Sequence, residues 1–265
     1  MLKATTHGPI TRIHLERKIL GRPFAVEVYL VDGLLIDTGC PATSSELVAW
    51  CRERDVRQVV NTHHHEDHVG GNRAFQKTLG LPIAAPREAL PILADAPRLP
   101  LYRRIVWGQP GRVMANPLEA VVETEHHRFE VLSTPGHCPD HVCLFERERG
   151  WLFSGDLFIH ERVRYLRADE KAQDTLESLR RMLALRPRLL VCSHAGLVED
   201  ACGALERRIA YWESLAEQAR TLRQEGLSLR EATDRLLGPK DLMFYLTRGQ
   251  FSKLNLIRSL LEERA

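Results

Sequence analysis

Alternating and continuous apolar positions mark the first third of the chain. They predict strands over residues 10–17, 24–31 and 34–37, because a half-buried strand alternates apolar with polar residues and a fully buried one does not. The Asp32-Gly33 pair between the last two strands is typical of a tight hairpin turn. The chain therefore begins as an antiparallel sheet.

Helical spacing follows these strands. Apolar residues recur at intervals of three and four over 44–54, where Ser44 is available as an N-cap, and residues 70–79 also favour a helix. Short apolar runs at 56–61 and 82–85 predict buried strands. Strands and helices thus alternate, which favours an α/β protein built in layers.

A second set of strands follows in the middle of the chain. Strands are predicted over 128–133, 141–146 and 151–153, an amphipathic helix over 174–185, and a last strand over 189–192. Several of these strands end directly before polar residues. Such an arrangement is expected where a rigid sheet presents side chains from its loops.

Two regions depart from the alternation of strands and helices. Residues 86–117 are rich in proline and mix apolar with basic side chains, which predicts an irregular or helical excursion over a functional site. After residue 197 the spacing is helical, and Gly226 ends the first helix. We therefore predict a main domain over 1–197 and a helical region over 198–265, packed on the main domain or capping it.

Two further helices are predicted within this tail. Ser228 and Glu231 have the spacing of a capping box, which opens the first of them. Residues 252–263 favour the second. The tail is expected to lie against the rim of the site or to form a homodimer contact.

Composition excludes several classes of protein. The chain has 265 residues, 44% of them hydrophobic, and a net charge of +2, so its bulk charge favours neither nucleic acid nor membrane as a partner. Six cysteines without close pairing indicate free thiols. The N-terminus lacks an apolar leader, and no run approaches the roughly 18 apolar residues of a membrane span. We expect a cytoplasmic protein.

The most informative segment is Asn61-Thr-His-His-His-Glu-Asp-His-Val-Gly-Gly71. Imidazole and carboxylate at this density are typical of sites for divalent transition metals. If His63 and His65 lie on a strand, alternation places them on one side, where both can reach one ion. If a helix follows, Asp67 and His68 turn away and can hold a second ion nearby.

This His-x-His-x-Asp-His pattern resembles the signature of the metallo-β-lactamase superfamily. Four more elements of that family have counterparts here in the same order. They are Leu35-Ile-Asp-Thr-Gly39, Thr134-Pro-Gly-His137, Ser154-Gly-Asp156 and Ser193-His-Ala-Gly196. The resemblance covers roughly residues 8–215 and implies a four-layer αββα sandwich with metals at one edge, followed here by a C-terminal helical extension.

The resemblance also implies a ligand set. It assigns His63, His65 and His137 to one ion, Asp67, His68 and His194 to a second, and Asp156 to a bridge between them. The ions are expected to be two zinc ions, although iron and manganese also suit imidazole and carboxylate. Asp67 is in addition the expected catalytic residue, orienting a hydroxide generated at the metals.

Residues around the ligands receive supporting roles or none. Asp37 and His141 are expected to hold ligands by hydrogen bonds from behind. His64 is expected to point away, while Cys138 is expected to be a small buried residue, like Cys192, because the ligand set is already full. Tyr165 lies where some lactonases of the superfamily place a substrate-facing tyrosine, but no local motif supports that role. The substrate-binding residues stay unassigned.

Several activities remain open. We favour a dinuclear metal-dependent hydrolase of a small ester, thioester or lactone, whose substrate is anionic or carbonyl-containing because the two ions leave the site positively charged. The first motif is similar to the glyoxalase II branch, but the downstream segments of that branch are absent. The ending and the helical tail look more like the branch with endoribonuclease-like members. The expected cytoplasmic location separates the chain from the secreted, antibiotic-degrading members of the superfamily, which normally carry an export signal.

Three alternatives follow from the same resemblance. One is a phosphodiesterase or nuclease, for which the basic residues of the tail would have to cluster on one face. Another is a mononuclear iron oxygenase like the persulfide dioxygenases, with iron at His63, His137 and Asp156. The last is a signalling effector without catalysis.

Overall fold

The first sheet contains seven strands in the order in which they occur along the chain. A computed structural model of the protein describes residues 1–262. The strands are β1 (Leu2–His7), β2 (Ile10–Ile19), β3 (Arg22–Val31), β4 (Leu34–Ile36), β5 (Gln58–Val60), β6 (Ile83–Ala85) and β7 (Asn116–Pro117). Strands β1 to β4 pair antiparallel, and β4 to β7 pair parallel.

The second sheet contains six strands in the order β14-β13-β11-β10-β9-β8. They are β8 (Val121–Glu123), β9 (Arg128–Ser133), β10 (Val142–Glu146), β11 (Trp151–Gly155), β13 (Leu189–Cys192) and β14 (Gly196–Val198). A separate two-stranded ribbon pairs β12 (Leu166–Arg167) with β15 (Phe251–Ser252). This ribbon joins the loop after β11 to the C-terminal tail.

Helices cover the outer faces of both sheets. On the side of the first sheet lie α1 (Ser44–Arg52), α2 (Glu66–Val69), α3 (Asn72–Leu79), α4 (Leu90–Asp95) and α5 (Leu101–Val106). On the side of the second lie α6 (Ala172–Ala184), α7 (Ala201–Gln224), α8 (Leu229–Leu237) and α10 (Lys253–Leu261), with the short α9 (Leu242–Leu246) preceding α10. The predicted αββα sandwich with a helical extension is confirmed.

Side-chain alternation along each strand explains the layers. In β10, Val142 and Leu144 point between the two sheets, whereas Cys143 and Phe145 point toward the helices outside. All five residues of this strand are buried, because both of its faces are covered. Three apolar layers result: one between the sheets and one under each layer of helices.

The tail helices belong to the outer layer of the second sheet. Trp212 and Leu205 of α7, Leu237 of α8 and Ile257 of α10 share one apolar cluster with β10, β11, β13 and α6. Helices α7, α8 and α10 therefore pack into the layer outside the second sheet, whereas α9 has no buried residue, and the division at 197 and 198 stays a prediction. In the described part of the chain, no helix has the length and apolarity that a membrane crossing requires.

Several sequence predictions are corrected. Ser44 is the first residue of α1 rather than its N-cap, and its Oγ donates to the Pro41 carbonyl (2.9 Å). Strand β1 is not predicted from the sequence, because it is an edge strand with almost no buried residue and therefore shows no apolar pattern. Helix α9 is also missed. The third tail helix ends at Leu261, and Glu263 of its predicted span lies outside the described residues.

The central apolar layer offers a direct test of the sandwich. Phe129 is fully buried there and meets the Phe153 ring edge to face, with ring centroids 5.8 Å apart. We expect Phe129→Ala to lower the free energy of unfolding by about 3–5 kcal/mol, measured by chemical denaturation, because it opens a cavity between the sheets. The exposed Met114→Ala is the control, with an expected change within about 0.5 kcal/mol. A loss below about 1 kcal/mol at Phe129 would contradict this packing.

Candidate metal centre

A turn and a short helix bring the first motif together. Strand β5 ends at Val60, and His63 lies in the turn that follows, while His65 immediately precedes α2. Neither histidine lies on a strand, so alternation along a strand does not align them, although their rings do meet, with centroids 4.5 Å apart. Helix α2 begins at Glu66 and carries Asp67 and His68.

The remaining predicted ligands come from loops of the second sheet. His137 lies in the loop between β9 and β10, Asp156 directly follows β11, and His194 follows β13. Both sheets thus present their loops at one edge of the sandwich. Gly155 precedes Asp156 with a φ of +47°, and a Cβ there would lie 2.7 Å from Nε2 of His141. The backbone can pass this point only without a side chain.

The seven residues form two clusters that share one carboxylate. Ligating atoms of His63, His65, His137 and Asp156 lie within 4.8 Å of one another. The same limit holds for the second cluster, which consists of Asp67, His68, His194 and Asp156. Asp156 uses both oxygens: Oδ2 lies 3.3 Å from His137 Nε2, and Oδ1 lies 3.3 Å from both His68 Nε2 and His194 Nε2.

Buried atoms without partners indicate what these clusters would accept. Nε2 of His63, Nε2 of His68 and Oδ1 of Asp156 are buried without a hydrogen-bond partner among the described residues. Leaving such atoms unpaired is costly, whereas metal ions would satisfy all three. The imidazole and carboxylate donors are those that zinc and related ions take. The residues present therefore fit two divalent ions.

The electrostatics of the clusters also favour cations. Burial lowers the pKa of His63 and of His65 well below its usual range, so both rings are neutral and have a lone pair to offer. Burial also acts to lower the pKa of His68, but Asp156 and Asp37 outweigh it and raise that pKa well above its usual range. Burial likewise opposes the rise in the pKa of His194, where Asp156 again prevails. The carboxylates therefore create a negative potential that positive charge would relieve.

Asp37 fixes two of the predicted ligands from behind. Its Oδ2 accepts from Nδ1 of His68 (2.7 Å), which directs Nε2 of that ring into the second cluster. Its two oxygens also accept from the N–H and Oγ1 of Thr62, each at 2.8 Å, and Thr62 Oγ1 lies 3.0 Å from Nδ1 of His63. One buried carboxylate thus orients a histidine in each cluster. Asp37 has a φ of +63°, a left-handed conformation that Asp adopts more readily than most residues.

His141 supports the shared carboxylate. Its Nε2 accepts from the backbone N–H of Asp156 (3.0 Å), and Nδ1 donates to Thr134 Oγ1 (2.8 Å). Burial lowers the pKa of His141 to about 3, so its ring is neutral and can accept this bond. The structure thus places the His141 ring within hydrogen-bonding distance of the Asp156 backbone.

The side chains next to the proposed ligands have contacts of their own. Nδ1 of His64 donates to Asp140 (2.7 Å), and its ring lies beside that of His65, with centroids 4.6 Å apart. Cys138 is buried, which raises the pKa of its thiol, and its Sγ lies within 4.8 Å of ring nitrogens of His64 and His65. Cys192 is also buried, and its sulfur accepts from the N–H groups of His194 (3.3 Å) and Ala195 (3.2 Å). It therefore shapes the turn that carries His194.

Two arginines at the site are missed by the sequence analysis. Arg103 of α5 binds the buried Glu66 through two hydrogen bonds, one of them 2.7 Å long, and so anchors the excursion of residues 86–117 beside the first motif. Nη2 of Arg167 lies 2.9 Å from Nε2 of His65, and its Nε lies 3.1 Å from Glu170. No motif singles out either arginine, because each is brought to the site by tertiary packing.

The clusters open into a cavity of about 420 Å³. Asp67, His137 and Asp156 lie in its wall, together with side chains from the excursion, the loop after β11 and the tail. Tyr165 also lines it, but its hydroxyl donates to Asp241 of the tail. The volume suits a small organic molecule beside the predicted metals.

Comparisons with known proteins agree with this geometry. The model of the Metallo-beta-lactamase superfamily matches residues 21–194. A hydroxyacylglutathione hydrolase from Rhodospirillum rubrum is 31% identical over 153 residues, which are 57% of this chain and 51% of that protein. A beta-lactamase-like protein 2 homolog from Drosophila melanogaster is 29% identical over 194 residues, covering 70% of this chain and 62% of that one. The chain thus spans about half the length of the first relative.

Solved structures share the fold. A beta-lactamase domain protein from Burkholderia ambifaria superposes with a TM-score of 0.75 at 17% identity, covering 97% of this chain and 86% of that one. A metallo-beta-lactamase family protein from Thermus thermophilus gives a TM-score of 0.67 at 21% identity, covering 96% and 91%. Because the family model spans both sheets and the order of its motifs is kept, the chain belongs to the metallo-beta-lactamase superfamily.

Proposed function

We propose that this protein is a dinuclear metal-dependent hydrolase of small esters, thioesters or lactones. The observation that carries the proposal is the sharing of Asp156 by two adjacent clusters of buried ligands. In this proposal His63, His65 and His137 hold one ion, and Asp67, His68 and His194 hold the other. One relative is named as a hydroxyacylglutathione hydrolase and another as a beta-lactamase-like protein, and both names support hydrolysis as the reaction.

The residues of the chain have separable tasks in such a reaction. Bound divalent ions would make a water nucleophilic at neutral pH and polarise the scissile carbonyl. Asp67 lies 3.8 Å from His194 Nε2, beside the cavity, and is the carboxylate that we propose orients the attacking water. Asp37 and His141 hold His68 and Asp156 in position through hydrogen bonds. No serine or cysteine nucleophile is needed.

The second cluster favours a hydrolase over an iron oxygenase. A mononuclear site on His63, His137 and Asp156 would leave the buried Nε2 of His68 without a partner among the described residues. The tail gives little support to a nuclease, because several of its cations are engaged within the protein. Lys253 pairs with Asp241 (2.9 Å), and Lys240 lies over the Phe244 ring.

Metal content tests the site itself. We expect elemental analysis of protein purified without chelators to find about two divalent ions per chain, and fewer than about one in Asp156→Ala, because both clusters lose their shared ligand. His7→Ala is the control, because His7 is exposed on β1 and belongs to none of the described groups of residues that could hold a metal ion. About one iron per chain in the wild type would instead favour the oxygenase.

Hydrolysis tests the reaction. We expect the metal-loaded protein to hydrolyse at least one of phenyl acetate, a simple S-acetyl thioester and γ-butyrolactone. The rate of product formation is the quantity measured. Removal of the metal with a chelator should abolish turnover, and added Zn²⁺ should restore it. Asp67→Asn should lower kcat/KM by about 10²- to 10³-fold. Undiminished turnover after complete metal removal would rule out the proposed reaction.

The proposed role of Asp37 predicts a loss of metal affinity rather than of folding alone. Asp37→Asn should weaken zinc binding by about 10- to 100-fold in competition with a chromophoric chelator, because His68 loses its charged hydrogen-bond partner. Asp140→Asn is a matched control, since Asp140 is also a buried carboxylate bound to a histidine, but to His64, which we do not propose as a ligand. Equal losses in the two variants would argue against a specific role for Asp37.

A further inference from the structure

Arg208 is a buried cation in the wall of the cavity. It lies on α7, in the C-terminal tail, and only 3% of its surface is exposed. The same cavity contains Asp67, His137 and Asp156 in its wall. A charged side chain buried this deeply normally requires a partner of opposite charge.

The described residues do not provide such a partner for two of its nitrogens. Nε and Nη1 of Arg208 are buried without a hydrogen-bond acceptor among residues 1–262. The other two deeply placed arginines of the cavity differ in this respect: Arg103 binds Glu66, and Arg167 binds Glu170. Arg208 therefore has unpaired donors at the wall of the cavity where the proposed reaction takes place.

The guanidinium is held in place before any ligand arrives. It stacks on the Trp212 ring, with Cζ 3.6 Å from the ring centroid. Trp212 is itself buried, and its Nε1 donates to the Val163 carbonyl (3.0 Å). A donor group held rigidly in this way binds an anion without losing much conformational freedom.

The guanidinium remains charged at neutral pH. Burial lowers the pKa of Arg208 to about 9, against smaller opposing effects of Glu170 and Tyr211, and arginine does not lose its proton below that value. Glu170, the carboxylate that acts on Arg208, is itself bound to Arg167 at 3.1 Å. Positive charge at Arg208 is therefore incompletely balanced.

A second unpartnered polar group lies at the wall of the cavity. The hydroxyl of Tyr102 on α5 is buried without a hydrogen-bond partner in the described part of the chain, and Tyr102 lines the same cavity. Arg208 comes from the tail and Tyr102 from the excursion of residues 86–117. Two elements outside the metal motifs thus each place an unpaired polar group beside one cavity.

We propose that Arg208 binds a carboxylate carried by the substrate. This inference rests on the proposed hydrolase function and narrows its substrate class to esters or thioesters with a carboxylate on the acyl or leaving group. The anion would accept hydrogen bonds from the guanidinium, and Tyr102 would donate a further bond to the bound molecule. Such charge-assisted bonds are stronger than neutral ones and would make the cavity selective for a carboxylate over an uncharged group.

Matched substrates test the proposal in the wild-type protein. S-acetyl-3-mercaptopropionate carries a carboxylate, and its carboxamide counterpart is nearly the same size without the charge. We expect kcat/KM to be about 30-fold higher for the carboxylate, mainly through KM, because the charged interaction is made in the bound substrate. Equal kcat/KM values for the two would overturn the proposal while leaving the hydrolase function intact.

Variants localise the effect. Arg208→Gln should remove the preference, so that the ratio of kcat/KM for the carboxylate to that for the carboxamide falls to about one, whereas Arg208→Lys should retain part of the preference. Arg207→Gln is the matched control, because Arg207 is the adjacent residue of α7 but is exposed and pairs with Asp200 and Glu161. A preference that persists in Arg208→Gln would overturn the assignment to Arg208.

A binding measurement tests the carboxylate site independently of the hydrolase function. Calorimetric titration of the metal-loaded protein with glutarate should give binding that Arg208→Gln weakens by about 30-fold and that Arg207→Gln does not change. If that result is found in a protein that hydrolyses none of the substrates, the carboxylate site stands and the hydrolase function fails. If glutarate binds equally well to all three proteins, the carboxylate site is wrong.

Discussion

The carboxylate of Asp156 is the point on which the architecture of the site depends. It lies buried between histidines from three different parts of the chain, with both oxygens 3.3 Å from imidazole nitrogens. Burial acts to raise its pKa, but His194 and His68 outweigh this and hold the pKa well below its usual range. A buried charge of this kind persists only where positive charge surrounds it, either on imidazolium or on metal ions. The two clusters therefore form a single electrostatic unit.

The sandwich limits the conformational freedom that the ligands lose on binding metal. The proposed ligands lie in α2 and in short turns and loops that follow strands, so their backbones are anchored by the strands and by the apolar layer beneath them. Asp37 and His141 then restrict the rings and the backbone of the ligands. The scaffold supplies rigidity, and the polar groups at its edge supply orientation. Metal binding would need little rearrangement of the chain.

Elements outside the shared motifs shape the cavity. The tail contributes Arg208 and Trp212 from α7, and it contributes Phe251 through the ribbon of β12 and β15. The excursion of residues 86–117 is tied to the first motif by the Arg103 and Glu66 pair. The tail and the excursion have a different role from the proposed metal ligands. They determine which molecules fit in the cavity, whereas the ligands would determine the reactivity of bound ions. Substrate preference is therefore expected to vary with them.

The sequence by itself determined the layered α/β class, most strand and helix positions, and the set of residues that the structure brings together as two clusters. It did so because apolar periodicity reports burial and because five short motifs resemble those of the superfamily, which implies the ligand set. Only the tertiary structure decided that His63 and His65 converge from a turn rather than a strand, since Asp37 and Val142, both distant in sequence, hold the backbone of Thr62 by hydrogen bonds. It also decided the positions of Arg103, Arg167 and Arg208. Their spacing along the chain has no period, and only the packing of distant helices and loops brings their charges to one cavity.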